Sequence, residues 1–259
     1  MGRLLLRIVT LLVVCGLALQ LYFLARVALM IVVDPQSTTF QRSEVWRIVT
    51  EKHELPWSQD WVPYGRIAAP LKRAVIASED ANFSEHSGVE WDALEKAWER
   101  NQLAEQRAQK ANAQLALRAV RTPAAKVAAR PAAPAQPKVV GGSTITQQLA
   151  KNLFLGGERN LARKAQEFLI TFMLEGLLSK ERILEIYLNN VEWGEGVFGA
   201  EAAAQHYFRT PAAGLSTMQA ARLAVMLPAP KRFEKRPASA YVIGRAATIV
   251  ARMGGVETP

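Results

Sequence analysis

The sequence predicts a mainly α protein, a mostly helical exported domain following a single N-terminal transmembrane helix. Two observations carry this. Ile8 to Ala25 is almost wholly apolar and long enough, as a helix, to cross a hydrocarbon core of roughly 30 Å. From Pro70 onward apolar residues recur at intervals of three and four, with marked starts and stops and no sustained β-branched alternation.

The anchor comes first. Its apolar run exceeds the roughly 7 to 15 residues of a cleaved signal peptide's core, and no small-residue cleavage site follows before Pro35. Arg3 and Arg7 precede the span, and Asp34 is the first charge after its apolar tail. The positive-inside rule therefore leaves the N-terminus cytoplasmic and the bulk outside. Arg26 is expected to snorkel to the outer headgroups, with Val27 to Val33 continuing in the interface. The chain then divides into an N-terminus at 1–7, an anchor at 8–33, a membrane-proximal connector at 34–60 and an exported domain at 61–259. Cys15, the only cysteine, lies inside the span, so the exported core must hold by packing without a disulfide.

Within the exported domain, Leu71 to Ser78 reads as a short apolar helix ending at Glu79-Asp80. Val89 to Val120 is rich in strong helix formers and is stopped by Pro123. Thr122 to Lys138, Ala- and Pro-rich without an apolar pattern, reads as a linker. Gly141 and Gly142 make a turn before a helix that Thr144 caps with Gln147. Leu161 to Leu178 is amphipathic, and Lys180 to Asn190 forms another helix. A Trp193–Gly199 loop separates it from Ala200 to Phe208. Ser216, with Gln219 three residues on, caps a last helix that stops at Pro228.

The net charge of +9 resembles a nucleic-acid signal until it is mapped along the chain. Arg100, Arg107, Lys110, Arg118, Arg121, Lys126, Arg130 and Lys138 face only Glu105, so most of the excess sits in one segment. An exported membrane protein does not meet nucleic acid. The segment reads either as a basic stretch drawn to anionic membrane lipids or as a solvated insertion.

Three groups of residues could carry chemistry. Glu79 and Asp80 stand at the negative end of a helix dipole, which raises a carboxylate's pKa and suits a general base; a solvated helix end is the plainer reading. His86 reads as a structural hydrogen-bonding residue. The Gly142–Gln148 turn offers amides to an anion, with Lys151 on the same face as Gln147, or is an ordinary capped helix. Arg163, Glu167, Thr171 and Glu175 form one stripe, opposite Leu161, Ala165, Phe168, Leu169, Phe172 and Met173. The stripe is either a solvent-facing ion-pair row or is turned into a cleft holding a cation and a carboxylate. There is no Ser-x-x-Lys, Lys-Thr-Gly, H-E-x-x-H, P-loop or dinucleotide motif, and the three histidines are too scattered for a zinc site.

Taken together in order, Glu79-Asp80-x-x-Phe83-x-x-His86-x-Gly88, Gly142–Gln148, Arg163-Lys164-x-x-Glu167, and Arg182-Ile183-Leu184-x-x-Tyr187-Leu188-Asn189 through Gly199–Ala203 resemble the peptidoglycan glycosyltransferases of family 51. The resemblance runs from Trp61 to Phe233. It implies a lysozyme-like, two-lobed helical domain that polymerises lipid II into β-1,4-linked strands by an inverting mechanism and releases undecaprenyl diphosphate. By position, Glu79 is implied as the base and Glu167 as a second essential carboxylate that orients cations or holds a divalent metal, Mg2+ or Mn2+. Asp80, Phe83, Ser143, Thr144, Gln147, Gln148, Lys151, Asn152, Arg159, Arg163 and Lys164 are implied in substrate binding. No organic cofactor is implied. Implied partners are lipid II, the growing glycan, membrane lipids, penicillin-binding transpeptidases and cell-division proteins, at the inner membrane with the domain in the periplasm.

The chain also departs from the family. Leu103 to Lys138 is an apparent insertion, Gln166 replaces a lysine of some relatives, and Ala229 interrupts a Leu-Pro-Asn-Pro ending. No transpeptidase domain follows, which leaves crosslinking to another protein. The competing reading is a lytic, lysozyme-like enzyme with a lone catalytic glutamate, which would have no diphosphate to neutralise.

Overall fold

The computed structural model describes residues 2–121, 142–158 and 160–259. It falls into two compact units, one of residues 2–89 and 144–259 and one of residues 90–143.

The first unit begins with α1, Gly2–Leu29. Its first half is exposed throughout, as a lipid-facing helix must be. Its second half is different: Phe23 and Val27, with Met30 just past its end, are buried in the protein core, so one face of this stretch docks on the domain. Arg26 does not extend freely either. It donates to the Tyr22 hydroxyl at 2.9 Å and lies over the Tyr22 and Phe154 rings.

The connector at 34–60 carries regular structure. Helix α2, Thr39–Lys52, starts at a capping box in which Thr38 and Gln41 satisfy each other's backbone amides. Gln41 and Ile48 are fully buried, and Ser58–Gln59 forms strand β1. β1 pairs in parallel with β3, Val197–Phe198, which pairs antiparallel with β2, Glu192–Gly194. The loop expected at Trp193–Gly199 is thus a small hairpin, and Gly196 and Gly199 take the positive φ its bends require.

Helix α3, Ala69–Glu79, opens with proline in its first turn and buries Leu71, Ala74, Val75, Ile76 and Ala77. It packs on α9, Thr217–Met226, and on α11, Ala240–Arg252. A second group joins α5, Ile145–Phe154, to α6, Leu161–Leu177, to α7, Lys180–Asn190, and to α2, with α1 lying on α6. Helix α8, Ala200–Phe208, and the short α10, Pro230–Phe233, flank the hairpin.

The second unit is dominated by α4, Trp91–Arg121, which buries Ala97 and Ala108 and exposes Trp91 and Trp98. Residues 103–121 of the expected insertion therefore continue a helix. The linker expected at Thr122–Lys138, with its Pro123 stop, lies outside the described residues.

Candidate active site

The end of α3 supplies two carboxylates with different tasks. Asp80 turns inward and is buried: its Oδ2 accepts from the Ile145 amide at 2.9 Å, and its Oδ1 lies 2.8 Å from Nε2 of His86. The Gly88 amide donates to Nδ1 of His86 at 3.1 Å, so the ring proton belongs on Nε2 and is given to Asp80. His86 is structural, as the sequence indicated.

This arrangement changes the reading of the Gly142–Gln148 turn. The anion at the start of α5 is the protein's own Asp80. Thr144 and Gln147 close a capping box, with the Gln147 amide on Thr144 Oγ1 and the Thr144 amide on Gln147 Oε1. The Thr144 hydroxyl donates to the Gly88 carbonyl at 2.6 Å. Both side chains are buried. Phe83, expected to touch substrate, is also fully buried, edge-on to His86 and 4.5 Å from Lys180 Nζ. Asp80, Phe83, Thr144 and Gln147 thus hold the site's frame.

Glu79 remains half-buried at the junction of the two helix groups. Its Oε2 accepts from Gln148 Nε2 at 3.0 Å, and Gln148 Oε1 accepts from the Tyr187 hydroxyl at 3.0 Å. Tyr187 is buried, so it fixes which way the Gln148 amide faces. Burial pushes the Glu79 carboxyl above its ordinary range; the Gln148 bond opposes this and the nearby Asp80 charge adds to it. The direction matches the dipole argument, but desolvation is its leading cause.

Glu167 on α6 is the second buried carboxylate. Arg163 Nη1 donates to its Oε2 at 2.7 Å, and Lys164 Nζ donates to its Oε1. The Arg163–Glu175 stripe therefore faces inward, with Thr171 wholly buried, while the apolar residues Leu161, Leu169 and Phe172 are 90%, 47% and 48% exposed. The solvent-facing ion-pair row is excluded. Crowding by neighbouring groups lowers the Lys151 pKa although its side chain reaches solvent, Glu167 raises it, and Arg163 and Lys164 lower it, which sets Lys151 in the same electrostatic cluster. Arg163 Nε is buried without an acceptor among the described residues. Among the described residues no three His, Cys, Asp or Glu side chains converge, and both Glu167 oxygens meet cations.

Helix α5 links the two carboxylates. Gln148, Lys151 and the half-buried Asn152 fall at i, i+3 and i+4 on one face, with about 5 Å of helix rise between Gln148 and Lys151. Ser143 is exposed beside the helix start, and Arg159 lies outside the described residues.

Four further residues complete the frame. Tyr187 orients Gln148; its place in an apolar helix stretch with a hydroxyl needing a partner was the available signal. Lys180 Nζ donates to the His86 carbonyl at 2.6 Å and pairs with Glu175 at 2.9 Å, and Thr146 Oγ1 donates to Glu175 at 2.5 Å. Gly88 adopts φ 86°, and a Cβ there would stand 2.6 Å from Thr171 Cγ2. Only glycine lets this loop approach α6 so closely.

Comparison with known proteins shows which family the chain resembles. A family model described as Transglycosylase matches residues 48–113 and 117–254, beginning earlier and ending later than the resemblance read from the motifs. The biosynthetic peptidoglycan transglycosylase of Burkholderia thailandensis is 50% identical over 244 residues, covering 94% of this chain and 83% of its own length. That of Paraburkholderia xenovorans is 47% identical over 247 residues, covering 95% and 90%. That of Herminiimonas arsenicoxydans is 49% identical over 243 residues, covering 94% and 92%.

Proposed function

The chain belongs to the transglycosylase family and is a peptidoglycan glycosyltransferase, and from that premise we propose that it polymerises lipid II into β-1,4-linked glycan with inversion. Glu79 acts as the general base. Its carboxylate takes the proton from the acceptor sugar's 4-hydroxyl, whose oxygen attacks the anomeric carbon of the growing chain as undecaprenyl diphosphate departs. Gln148, held by Tyr187, aims the carboxylate.

The observation that carries this reading is the cation cluster reached from Glu79 along one face of α5. Lys151, Arg163 and Lys164 gather around Glu167. A departing diphosphate needs cations, whereas hydrolysis of a neutral glycosidic bond does not, which weighs against a lytic enzyme. Glu167 then acts as an anionic pin that keeps three like charges together. The cations that meet the leaving group are the protein's own.

Both substrates carry lipid tails, which suits a chain whose α1 is long and apolar enough to cross a membrane. Arg3 and Arg7 set its N-terminus in the cytoplasm and the catalytic domain in the periplasm.

Purified full chain incubated with lipid II tests the proposal. Glycan strands are expected from the wild type, with Glu79→Gln slower by at least ~100-fold. Unchanged polymerisation by Glu79→Gln would remove the base, and cleavage of preformed sacculi without polymerisation would instead establish the lytic reading.

A further inference from the structure

The side chains of Gln20 and Gln166 face each other and exchange two hydrogen bonds. Gln20 Nε2 donates to Gln166 Oε1 at 2.8 Å, and Gln166 Nε2 donates back to Gln20 Oε1 at 3.0 Å. Gln20 is inside α1, nine residues before its end, or about 13 Å along the helix axis. Gln166 is on α6, next in sequence to Glu167 and three residues after Arg163. The innermost polar contact of the anchor thus falls on the helix that carries the cation cluster.

The pair is the deep end of a continuous docking face. Gln20, Phe23 and Val27 on α1, and Met30 just past its end, recur at three, four and three residues, a seven-residue period that keeps one side of this stretch against its neighbours. Phe23 meets the Phe154 ring edge-on with centroids 5.4 Å apart, and the Met30 carbonyl accepts from Arg182 Nε at 2.9 Å. An apolar face of this kind can slide by a turn with little penalty, because lipid replaces one apolar contact with another. Two carboxamides closing a ring of two bonds cannot. A slip would leave donors and acceptors unmatched in hydrocarbon.

We propose that Gln20 is a positioning residue for glycosyl transfer: through Gln166 it fixes the register and depth of α6 against the anchor, and so the height of Arg163, Lys164 and Glu167 relative to the bilayer. This rests on the polymerase reading above, in which those cations receive a lipid-linked diphosphate. A diphosphate whose lipid stays in the membrane arrives at a fixed height. Cations held at that height meet it in the transition state, while cations displaced along the bilayer normal do not. The anchor is then part of the catalytic alignment as well as a tether.

Gln20→Leu, Gln166→Leu and the double variant, each in the full chain in lipid bilayers, test the role by lipid II turnover. Each single variant is expected to lower kcat about fivefold with little change in KM, and the double to be no slower than the slower single, because the two amides act as one unit. Losses that multiply in the double, or a raised KM at unchanged kcat, overturn the proposal. Polymer formed at equal rates by all four proteins removes the positioning role alone. Absence of polymer from the unsubstituted chain removes the polymerase reading and this role with it.

Discussion

Oδ2 of Asp80 lies 2.9 Å from the Ile145 amide nitrogen, a bond that crosses 65 residues of chain to join the end of α3 to the start of α5. The neighbouring residue, Glu79, makes the parallel bond to Gln148 three positions further along α5. One carboxylate therefore fixes the helix pair and the next is presented by it. Asp80 places its charge at the positive end of the α5 dipole, where it stabilises the helix start without requiring a ligand.

The Asp80 charge and the Gln148 bond act on Glu79, the proposed base, in opposite directions. The Asp80 charge raises the Glu79 pKa and the Gln148 bond lowers it. A general base works when ionised, so a raised pKa moves the acidic limb of the pH–rate profile upward. Asp80→Asn should shift that limb to lower pH, and Gln148→Leu should shift it to higher pH, with kcat at neutral pH about tenfold lower for Gln148→Leu as the carboxylate loses its orientation. Profiles of kcat/KM against pH for both variants check the signs. Limbs moving the same way, or not at all, would show that the activity reports some group other than Glu79.

Much of this site can be read from residue order, and the part that cannot has a physical reason. The capping box of Thr144 and Gln147 is local: four residues contain all its donors and acceptors, and the helix start appears where the pattern puts it. What the box does with its free charge is a long-range matter. Asp80 is far away in sequence, so its arrival at the Ile145 amide has no local signal. The α6 stripe is ambiguous for a related reason. Amphipathicity gives two faces but not which one meets lipid, and in a membrane-bound protein the apolar face can be the outer one. Helices α2 and α11 show a different loss. Val242, Ala246 and Ile249 recur at four and three and are all buried, a signal present in the sequence but beyond the end of the motif-bearing stretch.

Glu167 is surrounded by cations, and their mutual repulsion sets its role. Replacing it with glutamine should release Arg163 and Lys164 and weaken the hold on the leaving diphosphate. Glu167→Gln is expected to lower kcat/KM by about 100-fold. Added undecaprenyl diphosphate should also inhibit the variant less strongly than the wild type. Because both carboxylate oxygens are occupied by Arg163 and Lys164, a chelator should leave wild-type turnover unchanged. Full dependence on added Mg2+ or Mn2+ would mean that Glu167 serves a metal instead.

Away from the site, Glu192 on β2 is buried, and its Oε1, 3.6 Å from Lys231 Nζ, has no hydrogen-bond partner among the described residues. Burial is the main cause that pushes its pKa from 4.5 up to about 7; Lys231 opposes the shift, and Glu44 and Glu234 add to it. The sign follows from proton binding. Between pH 4.5 and about 7 the folded protein holds a proton on Glu192 that the unfolded chain has released, so stability falls as pH rises through this window and the full penalty is present above it. At 1.36 kcal/mol per pKa unit the penalty is on the order of 3 kcal/mol. Glu192→Gln removes the titration, so its thermal midpoint should gain on the wild type between pH 5 and pH 8. Melting curves of the two proteins at both values decide the matter, and parallel profiles would rule out ionisation of Glu192 as the source of the pH dependence.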